Sequence, residues 1–179
     1  MRKVVLKYGL LAGGITASLG LILWSLYNND VISSGNSEVI GYGSMVVALS
    51  MVFFGIKSYR DNHQNGAIKF FKGLQVGMLI TLIASLVYAA SWEGYLLTTP
   101  GGQAAFMEKY TVSYINKMKT QGATEAEIEK MTKRFSDMAD MYKNPVIRFG
   151  MTLLEILPVG IVITLISAAV LRRKQILPA

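Results

Sequence analysis

The chain has 179 residues, 52% of them apolar and only 16% charged, with a positive mean hydropathy of +0.40. Soluble domains carry nearer ~25% charged residues, so the composition argues for a single membrane domain instead. The net charge of +7 does not form the single aromatic-interleaved patch that nucleic acid requires, and the lack of cysteine excludes disulfides, thiolate metal sites and cysteine nucleophiles.

The first apolar stretch covers residues 8–27 and carries no charge. Arg2, Lys3 and Lys7 precede it like the n-region of a signal peptide. The run is longer than a usual h-region of ~7–15 residues and no small-residue cleavage site follows, so an uncleaved membrane helix is expected. A second uncharged stretch spans about 39–56; a third covers about 73–96, uncharged as far as Glu93, and a fourth about 149–171, interrupted only by Glu155. Each is long enough to cross a hydrocarbon core of ~30 Å at ~1.5 Å per residue. None shows the polar face of a soluble helix.

Basic residues set the orientation. Arg2, Lys3 and Lys7, then Lys57, Arg60, Lys69 and Lys72, then Arg172, Arg173 and Lys174 all fall on one side of a four-span arrangement. The positive-inside rule places that side, with both termini, in the cytoplasm, here of a bacterial inner membrane. Trp24, Tyr27, Trp92 and Tyr95 then lie at the outer interface as aromatic anchors.

Between the third and fourth spans, two amphipathic helices are expected over about 103–143. Met107, Tyr110, Tyr114 and Met118 share one face of the first, and Gln121-Gly122 ends it. Thr124 and Glu127 have capping-box spacing, and Ile128, Met131, Phe135, Met138 and Tyr142 follow at helical spacing. Two such helices make an extracytoplasmic αα-hairpin. Its methionines sit mainly on faces needed for packing, and no His or Cys supports a copper site. No metal and no cofactor is implied.

Small residues recur every fourth position at Gly9, Gly13 and Ala17, at Gly73, Gly77, Thr81, Ser85 and Ala89, and at Gly160, Thr164 and Ala168. Such faces allow close helix approach, which serves packing of an intramolecular four-helix bundle, with a homodimer seam as the alternative. The fold class is therefore all-α: a membrane bundle of four helices with a helical hairpin between the third and fourth.

Two polar features stand out. Glu155 lies about two turns inside the fourth span, where an ionised carboxylate costs a few kcal/mol. Pro158 follows and can kink the helix, an arrangement used by ion and proton sites. Without a pathway of further polar groups, a single interhelical hydrogen bond from Glu155 is the favoured reading. Glu93 and Arg148 lie at similar depth, either as an interfacial ion pair or as separately solvated groups. In the cytoplasmic loop, Lys57, Tyr59, Arg60, Asp61, Lys69 and Lys72 suit anionic headgroups or a partner. Asp61 and the sole His63 cannot make a metal site.

Three strings carry a resemblance. They are Phe54-Gly-Ile-Lys-Ser-Tyr-Arg-Asp61, Val76-Gly-Met-Leu-Ile-Thr-Leu-Ile-Ala-Ser-Leu-Val-Tyr88, and Tyr142-Lys-Asn-Pro145 followed by Glu155-Ile-Leu-Pro-Val-Gly160. With them, nearly the whole chain resembles the bacterial domain-of-unknown-function family 4199. The resemblance implies a four-helix membrane protein with an external helical insertion, and no activity. No P-loop, nucleophile elbow, zinc helix or dinucleotide fingerprint is present. The expected function is thus non-enzymatic: interaction or envelope support, with the bilayer and a protein docked on the hairpin as partners. The alternative is a small proton, ion or solute transporter component built on Glu155.

Overall fold

The computed structural model describes residues 1–29, 31–32, 34–99 and 101–173. Among these there are seven helices: α1 (Arg2–Asn28), α2 (Ser34–Leu49), α3 (Met51–His63), α4 (Phe70–Thr98), α5 (Gly102–Thr120), α6 (Glu125–Tyr142) and α7 (Pro145–Leu171). Four stretches are long and apolar enough to cross a membrane: Arg2–Asn28, Val39–His63, Phe70–Thr98 and Pro145–Leu171. The second joins α2 to α3 through Ser50, which keeps helical angles and donates its hydroxyl to the Val47 carbonyl at 2.6 Å.

All four stretches outrun the expected spans. Apolar runs mark where a helix meets lipid, but the backbone goes on hydrogen-bonding to itself past that point. Lys57, Tyr59, Arg60 and Asp61, expected in a loop, lie on α3, and only residues 64–69 connect α3 to α4. Arg60 and His63 stand in the last turn of α3, where the helix dipole favours positive charge. Similarly, α7 begins at Pro145 rather than near Phe149. The Asn144 side chain accepts from the Val146 and Ile147 amides at 2.9 and 3.4 Å, and proline at the first helical position suits that start. Lys174, counted in the basic C-terminal set, lies outside the described residues.

The long α4 is the axis of the bundle, packed along α1 on one side and α7 on the other. Close approach comes from glycine opposite a branched side chain. A β-carbon added to Gly9 would come within 2.7 Å of Ile83, and one on Gly13 within 2.6 Å of Val87. Across the α4–α7 seam, Gly77 meets Thr164, Gly160 meets Thr81, and Gly73 lies against Ala168. These small-residue faces are filled by the chain's own helices. The Thr81 and Thr164 hydroxyls share a hydrogen bond of 3.0 Å, satisfying both inside the seam.

At the end carrying both termini, Val52, Ile56, Val76 and Ile80 are completely buried together with Val4, Val5, Tyr59, Ile68 and Leu171. An antiparallel backbone bridge between Ile68 and Arg173 closes that end.

At the opposite end, α5 and α6 are joined by residues 121–124. Gly122 takes φ +83°, which lets the chain reverse tightly. Thr124 and Glu127 complete a capping box, and the Thr124 amide holds the Glu127 carboxyl below the usual carboxylate range. Phe135 of α6 packs edge-on against Tyr110 and Tyr114 of α5, at 5.7 and 5.2 Å between ring centres.

Candidate functional site

Beneath α5 and α6, the ends of α1, α2, α4 and α7 do not close on one another. They bound a cavity of about 740 Å³. Its walls are rich in aromatic rings: Trp24 and Tyr27 from α1, Tyr42 from α2, Tyr88 and Trp92 from α4, and Phe106, Tyr110 and Tyr114 from α5. Deeper in, Thr152 and Glu155 of α7 line it.

The rings are fixed by one another and by hydrogen bonds. Trp24 meets Trp92 edge-on at 5.8 Å, and Phe106 packs on both at 5.0 and 5.1 Å. The Trp24 indole N–H donates to the Tyr95 hydroxyl at 2.9 Å, and that of Trp92 to the Tyr142 hydroxyl at 2.8 Å. The Tyr27 hydroxyl donates to Ser113 of α5. The Lys109 ammonium donates to the Asn28 carbonyl at 2.8 Å, tying α5 to the end of α1. Burial pushes the Tyr142 phenol up to about 12, so it stays neutral and keeps its hydrogen. These tryptophans and tyrosines, expected near the outer interface, line the cavity or hold the rings that do, and they join α1 and α4 to α5 and α6. The spacing of Tyr88, Trp92 and Tyr95 along one face of α4 was the signal for this.

Glu93 and Arg148 are brought together as a two-pronged pair. Arg148 donates through Nε and Nη2 to the two Glu93 carboxylate oxygens, each at 2.6 Å. Its Nη1 donates to the Tyr142 carbonyl at 3.0 Å. The side chains are 4% and 14% exposed, so this is a desolvated, geometrically complete pair rather than a weak surface contact. It locks the end of α6 to α4 and α7.

Glu155 behaves differently. It lies ten residues into α7, roughly 15 Å of rise from the helix start. Many protein atoms surround it, yet its own surface is accessible and faces the cavity. Among the described residues it makes no hydrogen bond or ion pair. The expected bond to a neighbouring helix is therefore not made among the described residues, and the carboxyl faces the opening between the helices instead. Pro158 does not break α7, which runs through it to Leu171, and its ring is exposed on the outer surface.

The basic set near the termini separates into parts. Tyr59 is buried, with His63 stacked on it at 5.4 Å. Arg60 pairs with its neighbour Asp61 at 2.7 Å. Lys57 is exposed on α3, Lys69 caps the start of α4, and Lys72 donates to Gln75 at 2.9 Å. These groups ring one end of the bundle but do not converge on a common point.

No curated protein and no solved structure matches the chain. Residues 7–173 match the family described as protein of unknown function DUF4199, and on that extent of agreement the chain belongs to this family.

Proposed function

We propose that the chain is a non-enzymatic, multi-pass protein of the bacterial cytoplasmic membrane that works by holding a small molecule in the cavity beneath α5 and α6. In this reading both termini are cytoplasmic and α5 and α6 form an extracytoplasmic αα-hairpin over the outer end of the bundle. Its support is the basic set from Arg2 to Arg173, which gathers at the end away from α5 and α6. A non-enzymatic role is favoured by the lining hydroxyls: those of Thr16, Ser44 and Thr152 donate to backbone carbonyls of their own helices and that of Ser113 accepts from Tyr27, so none is paired with a base.

The observation that carries the reading is the cavity itself. At about 740 Å³ it has the size of a small-molecule site, and its apolar walls with few polar groups match the usual chemistry of one. The two tryptophans of the chain, Trp24 and Trp92, both line it, so their emission reports occupancy without a label. The test uses the purified protein in zwitterionic nanodiscs and the uncharged fluorophore N-phenyl-1-naphthylamine. Saturable energy transfer from tryptophan is expected, and Ser44→Phe, which fills the wall from α2, should reduce it at least fivefold. Transfer that grows linearly with probe and is equal in Ser44→Phe would overturn the reading.

A second reading, interaction or envelope support through the hairpin, is favoured by the outer face of α6. Glu125, Glu129, Lys130, Lys133, Arg134, Asp137 and Asp140 are charged there, and all are exposed. Rescue of a deletion phenotype by Ser44→Phe, but not by charge reversal on that face, would put this reading first.

A further inference from the structure

The cavity pairs two features that separately are ordinary. One is a wall of indole and phenol rings whose negative π-faces attract cations. The other is Glu155, the sole acidic side chain among the described lining residues. We infer that the cavity selects an amphiphilic organic monocation, an ammonium or phosphonium type, with the charge held between Glu155 and the rings of Tyr88, Trp92 and Trp24. This rests on the proposal that the cavity is a small-molecule site and names the class it takes.

Charge balance points to a cation. Arg148 lies two turns from Glu155 on the same helix, but Glu93 already neutralises it through both carboxylate oxygens. Lys117 is the one basic lining residue among those described, and it sits in the last turn of α5, on the hairpin side of the cavity. A carboxylate roughly 15 Å along a membrane helix is costly unless something pairs with it. Among the described residues nothing does, and a charged ligand would supply that partner.

Wall chemistry separates an organic cation from an inorganic one. A hard metal ion needs several oxygen ligands to replace its water shell. Among the described residues no group of three His, Cys, Asp or Glu side chains exists. Aromatic faces and one carboxylate cannot replace that shell. They do suit a cation that carries its charge on a poorly hydrated, carbon-covered centre. Such molecules partition into bilayers and so reach a site at this depth.

The experiment compares tetraphenylphosphonium with tetraphenylborate, which share size and shape and differ in the sign of charge. Binding to the full chain in zwitterionic nanodiscs is read by quenching of Trp24 and Trp92. Tetraphenylphosphonium should quench saturably and tetraphenylborate should not. Glu155→Gln should weaken the cation at least tenfold while leaving uncharged N-phenyl-1-naphthylamine binding within twofold, which shows that the cavity persists. Equal affinity for the two ions, or an unchanged cation affinity in Glu155→Gln, overturns the cation inference alone if the neutral probe still saturates. If neither the cation nor the neutral probe saturates, the small-molecule reading falls with it. Should Glu155→Gln not fold, Tyr88→Leu replaces it: the same tenfold loss is expected, and an unchanged cation affinity overturns the inference.

Discussion

The two halves of the bundle use the same helices to opposite ends. Toward the termini, α3 packs on α1, α4 and α7, and Gly55, Gly73 and Gly77 let side chains interlock. Past Ser50, the same span as α2 buries Leu49 and Met45 with Ala12, Ala84 and Ile156, and its backbone then approaches α1 and α7 more closely than α4. Gly41 and Gly43 of α2 have nothing nearby that an added β-carbon would touch. Glycine alone therefore does not seal a membrane bundle. It seals one where a branched residue such as Ile83, Val87 or Thr164 stands opposite, because dispersion contacts replace the hydrophobic effect inside lipid. Where no such residue stands opposite, the space stays open and aromatic residues line it.

The largest effect expected is at the clamp that closes the open half. Arg148→Met leaves Glu93 largely desolvated and unpaired, so unfolding in mixed micelles should show a loss of up to ~3 kcal/mol. A loss no larger than a surface substitution gives would mean the pair is solvated. Next comes the sealed seam. Gly160→Val drives a side chain into Thr81 and should destabilise by ~1–3 kcal/mol, measured the same way. A neutral result there would remove the distinction between the halves.

Thr124→Ala removes the capping box of α6 and should cost ~1 kcal/mol of local stability. The readout is faster proteolysis at residues 121–124 with an unchanged midpoint for the bundle. A shifted bundle midpoint would show that α5 and α6 unfold together with the four long apolar stretches. Smallest of all, Gly41→Ala adds a methyl group to open space and should stay within ~0.5 kcal/mol. A larger destabilisation would mean that α2 is packed there after all.

Hydropathy made the four candidate spans legible, since a continuous apolar run of that length satisfies its own backbone in lipid only as a helix. Their ends were less so. The Asn144 cap reads equally as the stop of one helix and the start of the next, and Lys57 to His63 read as loop because a helix leaving lipid looks like any polar stretch. Glu155 announced itself as an acid in an apolar run. Its surroundings did not, because the gap around it comes from α2 standing off α4, a relation between residues far apart in the chain. The inward turn of Trp24 and Trp92 is likewise invisible to a rule that reads aromatics at helix ends as lipid anchors.

The central claim is that one half is sealed and the other holds an accessible cavity. The chain has no cysteine, so single substitutions give a clean test. Ser44→Cys places a thiol on the cavity wall, and Ser85→Cys places one in the fully buried seam of α4. Membranes holding either variant would be treated with a small membrane-permeant methanethiosulfonate, and the modified fraction followed by mass. The account predicts rapid modification at position 44, slowed by tetraphenylphosphonium, and almost none at position 85. Equal rates at the two positions, or no modification at position 44, would contradict it.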